Sequence, residues 1–111
     1  MTDSKPRIML LTGGKVHDYR AGAPLIIEAL ADRFDVVETS KTADLAKLAE
    51  GGFAAVVIYT EHREGELTDD LARTLVNFVR NGGGLLGLHS ATVTFTDCPA
   101  YMELIGARFT D

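Results

Sequence analysis

Tryptophan is absent from this 111-residue chain, cysteine occurs once, and aromatic residues make up only 7% of it. A single cysteine, Cys98, cannot close an internal disulfide, so the fold has to rest on a hydrophobic core and a reducing cytoplasm is the expected compartment. Basic residues are also scarce: 11 Lys and Arg stand against 16 Asp and Glu, leaving a net charge of -5 with no clustered positive patch. That balance argues against nucleic acid as a partner, because phosphate binding needs grouped cations. No apolar run approaches the roughly 18 residues of a membrane span. The segment Met1-Thr2-Asp3-Ser4-Lys5-Pro6-Arg7 has no signal-peptide core, so neither membrane nor secretion is expected.

Hydrophobic residues make up 46% of the chain and charged residues 24%, the proportions of one ordinary globular domain. Their order is informative. Arg7 to Thr12 is an apolar run stopping at Gly13-Gly14, and it reads as a first strand. A polar loop from Lys15 to Arg20 follows. From Ala23 the spacing turns helical, with Pro24 in a first turn and Ile26, Ile27, Leu30 and Phe34 on one face. Phe34 to Thr39 is a second strand, and Asp44 to Glu50 a short helix stopped by Gly51-Gly52.

Phe53 to Thr60 is the clearest strand, uninterrupted and β-rich at its centre. Thr68 is the candidate cap of the strongest helix, with Asp69 and Asp70 near the positive end of its dipole. Its apolar face is Leu67, Leu71, Leu75, Phe78 and Val79, and Gly82 ends it. Gly82-Gly83-Gly84 reads as a helix stop and turn, and the apolar run that follows, Leu85-Leu86-Gly87-Leu88 up to His89, as a fourth strand, buried on both faces because it lacks polar alternation. Pro99 to Ile105 has the pattern of a short helix, and Arg108-Phe109-Thr110 of a strand beginning.

Strands alternating with helices predict an α/β fold with a parallel sheet, right-handed crossovers and the flavodoxin-like strand order 2-1-3-4. A domain of this class usually continues to a fifth strand and a final helix. Without them strand four would be an edge needing cover, so the expectations are self-association as a homo-oligomer, most simply a dimer, or a chain truncated after strand four.

The three histidines are the most informative constellation. His17, His62 and His89 each follow the end of a predicted strand, and the order 2-1-3-4 makes strands one, three and four neighbours. Three imidazoles could then share one rim, a set suited to zinc or another divalent metal. Asp18 and Glu61 stand beside two of them as candidate proton carriers. Against this stands the plain reading that histidine is polar and common at loop starts, which applies most to His62 in its charged loop. Gly13 and Gly14 follow a strand but match neither a dinucleotide nor a phosphate-loop fingerprint. Gly87-Leu88-His89-Ser90-Ala91 has the form of a nucleophile elbow with histidine at the nucleophile position, and Cys98 lies well past it as a packed thiol.

Several of these motifs together resemble one family. They are Leu11-Thr12-Gly13-Gly14 with His17-Asp18-Tyr19, Leu67-Thr68-Asp69, Gly82-Gly83-Gly84, Gly87 to Thr92, and Pro99-x-Tyr101-x-Glu103-Leu104-Ile105-Gly106-x-Arg108-Phe109. In this order they are similar to the ThuA-like family, named for trehalose utilisation. The resemblance implies a fold like that of class I glutamine amidotransferases. His89 falls where those enzymes carry their cysteine, so glutaminase activity is not expected. It also implies a role in sugar metabolism, on trehalose, a related disaccharide or a 3-keto derivative. The carry-over puts catalytic roles on His89, His17 and Asp18 and ligand contacts on Tyr19 and Thr92; Gly13, Gly14, Glu61 and Ser90 are candidate ligand contacts by their own positions near the strand ends. The chain departs from the family pattern at Val93, where an acidic residue is usual, and at Cys98, where an aromatic is usual. It matches the N-terminal part of a longer family domain. The reading from another class is a non-catalytic module that pairs with itself or a partner, and a third is a phosphate or nucleotide binder.

Overall fold

The computed structural model describes residues 5–13, 19–60, 67–88, 95 and 98–105, with the backbone alone at Tyr19. Strand β1 (Arg7–Leu11) is followed by helix α1 (Tyr19–Leu30), β2 (Asp35–Thr39), a 3-10 helix (Thr42–Glu50), β3 (Phe53–Ile58), α2 (Asp69–Arg80), β4 (Gly84–Gly87) and α3 (Pro99–Ile105). The four strands form one parallel sheet in the order β2-β1-β3-β4. This is the α/β architecture and strand order that the sequence predicts.

Strand alternation divides the core in two. Met9, Leu11, Val56 and Ile58 point to one face, where Leu45 and Leu48 of the 3-10 helix, Ala72 and Leu75 of α2 and Tyr101 of α3 cover them. Ile8, Leu10 and Val57 point to the other, against Ala23 of α1 with Ile26, Ile27, Leu30 and Phe34 around it. The handedness of the crossovers explains this division. The chain steps one way from β1 to β2 and the opposite way from β3 to β4, so right-handed connections send α1 and α2 to opposite faces.

Helix α2 forms for the reasons its sequence gives. Thr68 is extended and its hydroxyl accepts a hydrogen bond from the Leu71 N–H at 3.2 Å, satisfying a donor that the first turn leaves open. Asp69 and Asp70 sit in the first turn and Arg80 in the last, each opposing the local end of the dipole. Gly82 adopts φ 101°, where any side chain would be strained. Gly83 is required for space: a β-carbon there would lie 2.5 Å from the Cζ atom of Phe78.

Four expectations are corrected. Helix α1 begins at Tyr19 rather than Ala23, so Pro24 is its sixth residue and withholds an N–H from the ladder inside the helix. The segment before Gly51 is a 3-10 helix starting at Thr42. The buried face of α2 includes Ala72, whereas Val79 stays outside the core cluster. Strand β4 is not buried on both faces: Leu86 is 53% exposed, because α1 leaves that side of the strand uncovered. Its apolar run reflects position at the end of the sheet, not a helix on each side. The suggested strand at Arg108 to Thr110 lies outside the described residues.

Leu75, 1% exposed in the middle of α2, and Thr68 at its cap separate packing from capping. Leu75→Ala should cost about 2–5 kcal/mol and Thr68→Ala about 1 kcal/mol in urea unfolding, both through the midpoint at an unchanged slope.

Candidate ligand site at the carboxyl rim of the sheet

The carboxyl ends of β1 and β3 lie side by side, with Leu11 opposite Ile58, and Ile58 in turn opposite Gly87 of β4. Pairing continues one residue past the strands. The Tyr59 N–H donates to the Leu11 carbonyl at 2.8 Å, the Leu88 N–H to Ile58 at 2.9 Å, and the Thr12 N–H to Thr39 at 2.8 Å. The connections after β1 and β3 leave toward opposite faces, which makes these two strand ends the topological switch point, where open α/β sheets form their binding crevice.

Two buried polar residues stand at that switch point. Thr12 is 0% exposed and Thr60 1% exposed. Thr12 Oγ1 donates at 3.3 Å to Glu38 Oε2 and lies at 3.3 Å from the Thr39 carbonyl, so β1 and β2 are tied by side chains as well as by backbone. Gly13 follows in a left-handed conformation, φ 128°, and turns the chain off the sheet.

A second polar link lies beside it. The Thr39 hydroxyl donates to Asp44 Oδ2 at 2.5 Å, and the Lys41 N–H donates to the same hydroxyl at 3.1 Å. This hydrogen bond, aided by Lys47 with its Nζ 3.5 Å from Asp44 Oδ1, holds the Asp44 carboxyl below the usual carboxylate range.

Phe95 belongs to the core cluster on the α2 side of the sheet. Its φ of 52° is unusual for a bulky residue, and its ring is fully buried edge-on against Tyr101, 5.2 Å between centroids at 87°. The Cys98 N–H donates to the Phe95 carbonyl at 3.0 Å and the Met102 N–H to Cys98 at 3.1 Å, joining this segment to α3. Cys98 is a buried free thiol in the core, as its sequence context predicts. Burial raises the Tyr101 phenol well above its ordinary value.

Of the residues singled out in the sequence, Gly13 follows β1 at the switch point in a left-handed conformation and Tyr19 opens α1. Gly14, His17, Asp18, Glu61, His62, His89, Ser90 and Thr92 lie outside the described residues. No group of three His, Cys, Asp or Glu side chains able to hold a metal occurs among the described residues, which include none of the three histidines. Among these residues, no helix is long and apolar enough to cross a membrane. Sequence reasoning overlooked Tyr59 and Phe95. With the helix read from Ala23, Gly22 lay outside it and gave no signal for Tyr59, and nothing local announces the positive φ of Phe95.

A parallel 2-1-3-4 sheet, helices on both faces and a crevice at the β1/β3 switch point define a flavodoxin-like α/β domain. The family model described as ThuA, trehalose utilisation, matches residues 7–111, and the chain belongs to that family. Among solved structures, a protein from Bacteroides uniformis ATCC 8492 described as ThuA-like is similar in fold, with a TM-score of 0.66 at 14% sequence identity. The similarity covers 96% of this chain and 46% of that protein, so the chain spans about half its length. No curated protein matches.

The depressed Asp44 carboxyl gives a testable sign. A carboxylate whose folded pKa lies below its unfolded value contributes stability above the unfolded pKa and loses it as pH falls through the folded one. In a carboxyl NMR titration Asp44 should protonate below the ordinary aspartate range, and Thr39→Val should move its midpoint upward. A midpoint unchanged by Thr39→Val would remove the hydroxyl as the cause.

Proposed function

We propose that the carboxyl rim binds a small sugar-derived ligand, with trehalose or a related disaccharide as the first candidate. The observation that carries this reading is topological. His17, His62 and His89 follow Leu11, Ile58 and Gly87 by six, four and two positions, and those three strand ends are adjacent in the sheet. Membership of a family described by trehalose utilisation supplies the ligand class.

In this reading His89 and His17 face the sugar, a neutral imidazole taking a proton from a hydroxyl and Asp18 or Glu61 orienting or receiving it. Backbone groups at Gly13 and Gly14 and the side chains of Tyr19, Ser90 and Thr92 complete the contacts. His17, His62 and His89 are the residues that would hold a divalent metal such as zinc, which would supply Lewis acidity toward a hydroxyl or keto oxygen. Titration with trehalose, alongside metal analysis of the purified chain, tests the reading. His17→Ala and His89→Ala should each weaken binding by about tenfold, the equivalent of roughly 1.4 kcal/mol. Unchanged affinity in both variants overturns it.

A second reading rests on the β4 edge. Gly84-Leu85-Leu86-Gly87 carries no charge or proline of the kind that protects exposed edges, and Leu86 is open on the α1 side. That favours a module that pairs with another copy. Light scattering should then give a dimer that Leu86→Lys returns to monomer, whereas a wild-type monomer at high concentration counts against pairing.

A further inference from the structure

We infer that Tyr59 is a ligand-contacting residue of the rim site, and that Gly22 is kept small to let its phenol lie there. The inference rests on the proposed sugar-binding reading and adds to it a recognition group.

Tyr59 is the first residue after β3. Its backbone is fixed by the hydrogen bond from its N–H to the Leu11 carbonyl, so its Cα belongs to the β1/β3 switch point. Its side chain turns to the α1 face, against the cluster of Ile8, Leu10, Ala23 and Val57. There it passes over Gly22. A β-carbon on Gly22 would stand 2.9 Å from Tyr59 Cζ and 3.1 Å from Cε2, and closer still to the hydroxyl oxygen, so any other residue would displace the ring. Gly22 lies inside α1, where glycine costs about 1 kcal/mol relative to alanine. The clearance for the phenol is what that cost obtains.

The hydroxyl that this arrangement accommodates makes no hydrogen bond among the described residues, and the ring is only partly buried. A phenol that served packing alone would gain nothing over phenylalanine. An aromatic ring with one apolar body and one polar tip suits a sugar, whose C–H faces lie on aromatic surfaces and whose hydroxyls need donors and acceptors. The residue after it is the buried Thr60, and the segment carrying Glu61 and His62 begins next. Tyr59 therefore stands where the floor of the crevice passes into the histidine-bearing connection. Exposed Leu86 and the partly buried Leu88 continue the apolar surface of the same face beyond it.

Calorimetric titration of trehalose into the purified chain, with a thermal melt of each variant, tests the assignment. Tyr59→Phe should weaken binding roughly threefold to tenfold with the melting midpoint unchanged, since only an unpaired hydroxyl is removed. Gly22→Ala should also weaken binding, by displacing the ring, while the helix is held or stabilised. Equal affinity in wild type and Tyr59→Phe overturns the role of Tyr59, even if His17→Ala and His89→Ala are impaired. A loss of affinity that only follows a fall in melting midpoint overturns it too. A wild-type chain that binds no trehalose overturns the sugar-binding reading and this inference with it.

Discussion

Parallel pairing of β1 with β3 is the constraint on which the rest of the structure depends. Both strands are interior to the sheet, and each gives one set of side chains to each half of the core. Because the chain leaves them in opposite directions, right-handed crossovers must place α1 on one face and α2 on the other. The same divergence that covers the sheet leaves a crevice at the strand ends. The packing of the fold and the position of its candidate site thus follow from one geometric rule.

The rule also determines where cover is missing. The 3-10 helix, α2 and α3 all pack on the face of Met9, Leu11, Val56 and Ile58, while α1 is the described helix on the opposite face. α1 reaches Val57 and Tyr59, but Leu86 of the neighbouring strand stays exposed, as does Leu25 on the helix itself. An apolar residue such as Leu86 at the end of the described sheet is tolerable singly and more consequential where other apolar surface adjoins it. Apolar content alone therefore misreads β4. Its run of glycine and leucine would suit a central strand, yet its burial is decided by which helices the topology supplies.

Most of the fold was legible because it depends on local rules. The apolar runs of β1 and β3, the cap at Thr68, the dipole-matched ends of α2 and the stop at Gly82 each act over a few residues, and each lies where the sequence puts it. The failures were non-local. Pro24 is an ordinary first-turn residue when read alone, but the helix starts at Tyr19 and carries Pro24 in its interior, with Ala23, Ile26 and Ile27 packed on the sheet. The candidate site was legible in the same uneven way. Gly13 at the end of β1 was evident from a strand stopping at glycine, whereas Tyr59 and Gly22 acquire meaning only when 37 positions of sequence are brought into contact. Phe95 is a more extreme case, since its positive φ is maintained by burial against Tyr101.

The rim divides its polar groups between two tasks. Thr12, tied to Glu38 and Thr39, and Thr39, tied to Asp44, hold the ends of β1 and β2 in register and bind the 3-10 helix to them. Their hydrogen-bonding capacity is used inside the protein, and a ligand would have to break those bonds to use it. The Tyr59 hydroxyl makes no such hydrogen bond among the described residues. With the Thr12 and Thr39 hydroxyls bonded inside the protein, the proposed recognition falls to side chains such as that of Tyr59, whose backbone is fixed at the switch point.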